Sequence, residues 1–204
     1  MERRILQPEQ IIVPGEYELG NESILKIYFR VFDRGHGEDL PPAIVINKTT
    51  AGLPLPGGYH PEHESHKRYR VALENYLDKN PNTKYFLLDG NHKTVASALC
   101  HVPIHVLELQ SDSDIAEGQK LVESGDFFNW TIPGETLEEV MRKLGDHLFN
   151  YEDPDASFFD RVRKLDSCGS YYNDNFETVA DRVRRLTSNG DIPQYMIERY
   201  HKGK

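Results

Sequence analysis

Strand-like and helix-like segments alternate through the first 110 residues of this chain, and this alternation limits the folds open to it more than any other feature. Short apolar runs predict strands, and apolar stripes at helical spacing predict helices. Strands are expected at 10–13, 42–47, 83–88 and 102–109, and helices at 21–32, 61–77 and 92–100. This order predicts an α/β domain in which helices cover a sheet.

The second half of the chain has a different pattern, because only helix-like segments follow Ser111. Helices are expected at 114–123, 137–148, 156–165, 177–186 and 193–200. The change of pattern near 110–113 divides the chain into an α/β domain over 1–110 and an all-helical extension over 111–204.

The charge of the chain restricts its partners. Asp and Glu number 33 against 24 Lys and Arg, which gives a formal net charge of −9. This acidity excludes a wholly basic nucleic-acid binder and disfavours nucleic acid as a partner, leaving room only for a local basic patch. The two cysteines, Cys100 and Cys168, are too few for a disulfide framework, and no apolar stretch is long enough for a membrane span. We expect a cytoplasmic protein with no membrane partner.

Residues 86–97 carry the strongest chemical signal in the sequence. An apolar strand ends in Asp89-Gly90 and a helix begins at once, so the first backbone N–H groups of that helix lack acceptors at its positive end. An anion can bind there, with His92 as a further donor and Lys93 as a point charge, while Asp89 can hold a metal or polarise a hydroxyl group. The alternative is a tight turn whose polar side chains only cap the helix.

This stretch resembles the phosphate-binding turn of the ParB/sulfiredoxin superfamily, in which a strand, a DG-x-H-R type turn and an Ala-rich helix bind the phosphates of a nucleotide. The matching residues are Asp89, Gly90, His92, Lys93 and Ala96, with Lys93 at a position where the family usually has Arg. The segments at 11–13, 21–32, 41–46 and 101–109 are also similar to that family. The resemblance covers about half of the chain and implies a ParB/sulfiredoxin-like mixed sheet that binds ATP or ADP, with CTP as a third choice.

The resemblance also implies roles for individual residues. The nucleotide would be bound by Gly90, Asn91, His92, Lys93 and Thr94. Asp89 would hold Mg²⁺, and Asp89 and His92 would take part in catalysis. In the free-serine kinase branch of the superfamily, a Glu before the first helix acts as general base on the substrate hydroxyl. Glu16 and Glu18 stand at that place here, and Glu16 is the better match.

The branches of this superfamily differ in function. Sulfiredoxins use a Cys at the position held here by Asn91, so their thiol chemistry is not expected. ParB proteins bind DNA through an Arg-rich box, which this sequence lacks. We therefore expect a nucleotide-binding protein that transfers a phosphoryl group to a small hydroxylated substrate or hydrolyses the nucleotide. The alternative is a ParB-like DNA-binding, nuclease or nucleotide-switch module.

Three histidines, His60, His63 and His66, cluster at the start of the helix predicted over 61–77. Their spacing is open to three interpretations. They could form a transition-metal site, or they could be the polar start of a helix that faces water. Together with the Gly/Pro-rich loop before them, they could also belong to a mobile lid over 50–65 that closes on the phosphate turn.

The second half contains one internal echo, DRVRKLDSCG at 160–169 and DRVRRLTSNG at 181–190. One interpretation is a pair of helices with similar ends, each stopped by its Gly and with Arg near the negative end of the helix dipole. The other is a paired basic surface for a nucleic-acid backbone. The acidic net charge favours the first interpretation.

Overall fold

The computed structural model of the chain describes residues 1–14, 21–127, 132, 134–150 and 176–203. The strands are β1 (Glu2–Leu6), β2 (Ile11–Pro14), β3 (Ala43–Asn47), β4 (Tyr85–Asp89), β5 (Ile104–Leu109) and β6 (Phe176–Thr178). The helices are α1 (Glu22–Asp33), α2 (Lys48–Ala51), α3 (Glu64–Lys79), α4 (Asn91–Leu99), α5 (Asp112–Glu123), α6 (Leu137–Asn150), α7 (Val179–Asn189) and α8 (Gln194–Lys202).

The strands form one mixed sheet in the order β1-β5-β3-β4-β2-β6. β2 runs parallel to β4 and β3 runs parallel to β5, while the other neighbouring pairs are antiparallel. The mixed α/β architecture predicted from the sequence is therefore confirmed. Because β2 and β4 are parallel neighbours, Pro14 and Asp89 end these strands at the same end of the sheet, which we call the carboxyl end.

Helices cover both faces of the sheet because the side chains of each strand alternate. On β4, Tyr85 and Leu87 pack in an apolar cluster with α1, α4, α7 and α8, on what we call the first face. Phe86 packs on the second face with α3 and α6. A further cluster on the second face joins Leu107 and Leu109 of β5 to α5 and α6.

Two strands differ from the sequence-based expectation. β1 was not predicted, because its mostly charged and exposed residues show no apolar alternation, as is common for a strand at the edge of a sheet. β6 lies where a helix was expected, so the prediction that the second half is all-helical is wrong at Phe176–Thr178. Three residues are too few to display a period of two, and their partner β2 lies far away in the sequence.

The other predicted elements that fall on described residues agree with the structure to within a few residues. Asn21 caps α1 as expected, accepting a hydrogen bond from the Ile24 N–H at 3.2 Å. α3 begins at Glu64 rather than Pro61, which lies in the turn before it. The helix predicted at 156–165 lies outside the described residues.

The second half of the chain packs against the first half. β6 pairs with β2, and α7 and α8 pack against α4. The division into domains at residue 110 stays a prediction, since one sheet draws strands from both sides of it. Among the described residues, none of the helices is long and apolar enough to cross a membrane.

A candidate anion site at the carboxyl end of strand β4

Gly90 makes the turn from β4 into α4, and its place requires glycine. Its φ of +101° is a backbone conformation that other residues rarely adopt. A Cβ on Gly90 would lie 2.7 Å from the Cβ of Ala43 and 3.0 Å from its Cα. The Gly90 carbonyl accepts the first helical hydrogen bond, from the Thr94 N–H at 2.9 Å. Glycine thus lets α4 start directly against β3 at the carboxyl end of the sheet.

The start of α4 presents backbone donors. Within the described residues, no acceptor lies within hydrogen-bond distance of the backbone N–H groups of His92 and Lys93. Such groups carry the partial positive charge of a helix start, and they form a common binding place for phosphate and other anions. The structure therefore has the backbone arrangement that the sequence predicted for residues 89–93.

Asp89 is the last residue of β4, and its side chain is half-buried. No hydrogen bond or ion pair to its carboxylate is found among the described residues. The pKa of Tyr28 on α1 is raised, mainly by burial and also by the nearby Asp89 charge. Asp89 thus places a carboxyl group at the carboxyl end of the sheet.

The Lys93 side chain is buried between the β4–α4 turn and the chain that enters β3. Its ammonium donates to the carbonyl oxygens of Pro41 at 2.7 Å and Pro42 at 3.0 Å, and only 9% of the residue is exposed. Burial lowers the pKa of this ammonium to about 8, against a smaller opposite effect of Asp89. In this geometry the Lys93 charge is used to hold α4 to the chain that enters β3.

The side chains of Asn91 and Thr94 also make contacts within the fold. The Thr94 hydroxyl donates to the Asn91 carbonyl at 2.9 Å. The Asn91 side-chain oxygen accepts from Nη1 of Arg182 on α7 at 2.5 Å. These two predicted nucleotide ligands thus stabilise the turn itself, and Asn91 links it to α7.

Arg182 was not recognised from the sequence as part of the site. Its side chain is 1% exposed, and its Nε donates to the Glu177 carboxylate of β6 at 2.7 Å. Arg185 binds the same carboxylate at 2.9 Å. Arg182 therefore brings a buried positive charge from the second half of the chain to the first residue of α4. The DRVR echo contained this residue, but repetition alone gave no sign that its first Arg is buried.

His92 has a buried ring nitrogen without a partner. Its Nε2 is shielded from solvent, and no hydrogen-bond partner is found for it among the described residues. Burial lowers the pKa of His92, so its ring is neutral near pH 7. A neutral imidazole can donate or accept one hydrogen bond at this atom.

The predicted bases Glu16 and Glu18 lie outside the described residues. The described chain reaches Pro14 at the end of β2 and resumes at Asn21, the cap of α1. Ile12 of β2 is paired with Phe86 of β4, so Pro14 is near the carboxyl end of the sheet where Asp89 also lies.

The histidine cluster lies on the second face, where the His66 ring contacts Phe149. The ring centroids of His60 and His63 are 5.8 Å apart, and those of His63 and His66 are 5.5 Å apart. The His60 N–H donates to Nδ1 of His66 at 2.9 Å. Within the part of the chain that the structure describes, no group of three His, Cys, Asp or Glu residues is arranged to hold a metal ion.

The expectation of a lid over the phosphate turn stays a prediction. The loop begins after Asn47, which is paired with Tyr85 at the start of β4 and therefore lies at the opposite end of the sheet from Asp89. Leu53 and Leu55 of the loop pack on the second face. α3, which follows the loop, comes close to the carboxyl end, because its Tyr69 contacts Phe176, the β6 partner of Pro14.

The second copy of the echo forms α7 and ends at Gly190, whose φ is +76°, as expected for a helix stop. Arg184 pairs with Asp181 at 2.6 Å, and Arg182 and Arg185 pair with Glu177. The first copy lies outside the described residues. The arginines of α7 are thus engaged in ion pairs within the protein, which does not favour a basic surface, but none of them stands in the last turn of α7, so the expectation of Arg near the negative end of this helix is wrong.

Comparisons with protein-family models, with curated proteins and with solved structures found no match to this chain.

Proposed function

We propose that the turn between β4 and α4 binds the phosphates of a nucleotide, ATP or ADP in the first place. The protein then transfers a phosphoryl group to a small hydroxylated substrate or hydrolyses the nucleotide. The observation that carries this proposal is the pair of backbone donors at His92 and Lys93, which have no acceptor among the described residues and lie next to the half-buried Asp89 carboxylate. Phosphoryl transfer needs mainly such positioning and charge neutralisation.

The groups around the turn suit an anion such as phosphate. The two N–H groups and the neutral His92 ring can donate to its oxygens, and Arg182 adds positive charge through Asn91. The Lys93 ammonium is excluded from this set by its contacts with Pro41 and Pro42. Its backbone N–H, not its side chain, is the proposed ligand.

Asp89 fits a Mg²⁺ ion that arrives with the phosphates. No group of three possible ligands surrounds it among the described residues, which disfavours an ion held by the protein alone. Mg²⁺ commonly keeps several waters and binds one or two carboxylates together with substrate phosphates. When bound, the ion would neutralise phosphate charge. Glu16, with Glu18 as the second choice, is the proposed base, a role that rests on the resemblance to the kinase branch.

Calorimetric titration with ATP, ADP and CTP, with Mg²⁺ and with EDTA, tests the binding step. We expect His92→Ala to weaken binding about tenfold, the effect of losing one hydrogen bond to a charged group. Asp89→Asn should remove the difference between Mg²⁺ and EDTA. His36 and Asp39 form an exposed pair 3.4 Å apart, so His36→Ala and Asp39→Asn are matched controls that should bind as the wild type does. Absence of nucleotide binding would overturn the proposal.

Phosphorus NMR of the protein with ATP or ADP, Mg²⁺ and a pool of hydroxylated metabolites tests the reaction. A phosphorylated product or released phosphate supports the proposal, and Glu16→Gln should then abolish turnover while leaving nucleotide affinity nearly unchanged. A fully active Glu16→Gln variant would assign the base to Glu18. Tight nucleotide binding without product, together with DNA retardation that weakens at higher salt, would support the DNA-binding or switch alternative instead.

A further inference from the structure

A cleft of about 400 Å³ lies on the second face, between α6 and the loop after α2. Its size falls within the range of pockets that bind small molecules. The loop side is formed by Thr50, Ala51, Leu53, Leu55, Pro56, Gly57 and Gly58, and the helix side by Leu137, Glu138, Met141 and Arg142. The β4–α4 turn is on the first face, so this cleft is separate from the proposed phosphate site.

The loop wall of the cleft is held in place at several points. The buried Tyr69 hydroxyl donates to the Pro54 carbonyl at 2.7 Å. The Gly57 N–H donates to Oδ1 of Asp146 on α6 at 2.6 Å. Gly145 allows α6 to lie close against the loop, because a Cβ at this position would collide with the Leu55 backbone. The cleft is therefore formed before any ligand arrives, which lowers the entropic cost of binding.

The lining of the cleft combines an apolar floor with two opposite charges. Leucine, methionine and alanine side chains supply the floor. Glu138 and Arg142 are four residues apart on α6, so their side chains lie on one face of the helix. Arg142 contacts Asp146 at 3.4 Å and keeps 48% of its side chain exposed. Glu138 is exposed, and no ion pair to its carboxylate is found among the described residues.

We propose that this cleft binds an α-amino acid with an apolar side chain. Its carboxylate would pair with Arg142, its ammonium with Glu138, and its side chain would contact Leu53, Leu55 and Met141. A simple fatty acid would bring a second negative charge beside Glu138, and an uncharged apolar molecule would pair with neither charge. The lining therefore selects a zwitterion with an apolar body.

Titration of the full chain with L-leucine and L-methionine, followed by NMR, tests this proposal. N-acetyl-L-leucine lacks the ammonium charge and L-leucinamide lacks the carboxylate, so each should bind about two- to fivefold more weakly than L-leucine, the loss expected for one exposed ion pair. Glu138→Gln and Arg142→Gln should each lower leucine affinity by a similar factor. Lys143→Gln and Glu123→Gln, exposed positions outside the cleft, are controls that should leave the affinity unchanged.

Three outcomes would overturn the proposal. Leucine could fail to give saturable shifts at residues lining the cleft. N-acetyl-L-leucine could bind as tightly as leucine, which would show that a carboxylate alone is selected. Glu138→Gln and Arg142→Gln could bind leucine as the wild type does. None of these outcomes bears on nucleotide binding, because the nucleotide titration is done without amino acids and uses other variants.

Discussion

Lys93 shows how a single buried charge connects the sequence motif to the stability of the fold. Its ammonium donates to two carbonyl oxygens, yet burial lowers its pKa to about 8 from the ordinary 10.5. Below pH 8 the group is protonated in both the folded and the unfolded chain. Between pH 8 and 10.5 the unfolded chain binds more protons, so this group makes stability rise with pH.

We expect this rise to disappear in Lys93→Met, which keeps most of the side-chain length but cannot titrate. The free energy of unfolding, measured in urea at pH 7.5 and 9.5, should increase for the wild type relative to the variant by on the order of 1 kcal/mol. The other titrating groups contribute equally to the free energy of unfolding of both proteins, so their effects cancel when the two are compared. Parallel pH profiles of the two proteins would contradict the buried, proton-losing state of Lys93.

The half-buried ring of His66 leads us to expect that the protein loses stability at acid pH. Burial lowers its pKa, and its Nδ1 can accept the His60 N–H only while it carries no proton. As pH falls below about 6.5 the unfolded chain takes up the proton first, so the contribution of His66 to stability is lost on acidification. Hydrogen exchange should show the protection of the His60 amide falling between pH 7.5 and 5.5.

His66→Asn is the variant that isolates this effect, because its side-chain oxygen can take the place of Nδ1 as acceptor but does not titrate. Protection of the His60 amide should be independent of pH in this variant after correction for intrinsic exchange. His63→Asn changes the neighbouring ring without touching the accepted hydrogen bond, so it should keep the pH dependence of the wild type. Equal pH dependence in His66→Asn would assign the effect to another group.

At this scale the sequence predicted the backbone of the site better than its side chains. Gly90 and the start of α4 followed from a strand that ends in Asp-Gly. The direction of the Lys93 side chain could not be predicted, since its acceptors at Pro41 and Pro42 are close only in the folded chain. Arg182 was missed for the same reason, because its contact with Asn91 joins residues from the two halves of the chain.

The turn from β4 to α4 gives the clearest prediction at the scale of elements. Gly90→Ala combines a left-handed backbone, which costs roughly 1–2 kcal/mol for other residues, with a clash against Ala43 of β3. Gly190 also has a left-handed backbone, with φ +76° and ψ 23°, but a Cβ there would meet no atom within 4 Å. Gly190→Ala is thus the matched control for backbone strain alone.

Thermal and urea unfolding should show Gly90→Ala destabilised by about 1 kcal/mol or more beyond Gly190→Ala, since only the first variant must also separate α4 from β3. Nucleotide affinity should fall in Gly90→Ala and stay unchanged in Gly190→Ala. Equal destabilisation of the two variants would mean that β3 and α4 can separate at little cost to fit the added methyl group.

Elements differ in how well local pattern determines them. β3, β4 and β5 are buried, and their apolar runs predicted them as strands. The apolar stripe of α1 and its Asn21 cap predicted that helix. β1 and β6 are edge strands that exist because β5 and β2 offer unpaired hydrogen-bonding groups. Such pairing depends on the tertiary fold and leaves little trace in a window of a few residues.

For the whole molecule, the packing of the second half predicts what its removal does. The first-face core includes Val179, Val183 and Leu186 of α7 and Met196 of α8. A fragment of residues 1–110 would expose the apolar surface that these residues cover and the free edge of β2. We expect this fragment to aggregate or to unfold without cooperativity in urea, as followed by circular dichroism.

A fragment of residues 1–150 mixed with a peptide of residues 176–204 provides the complementary measurement. Addition of the peptide should improve the solubility of the longer fragment, because it restores β6, α7 and α8. A 1–110 fragment that unfolds cooperatively on its own would instead support an independent first domain.

The pairing of β6 with β2 also matters during synthesis of the protein. β2 leaves the ribosome before β6, and its outer edge has no partner until Phe176–Thr178 has been translated. At typical translation rates this interval lasts on the order of ten seconds, which is long compared with the formation of local structure. Pro8 and Pro14 stand on either side of Ile11–Val13, and Pro14 itself lacks an N–H. These prolines limit the length over which a nascent chain could pair with a neighbour, so they protect the strand while it waits for its own partner.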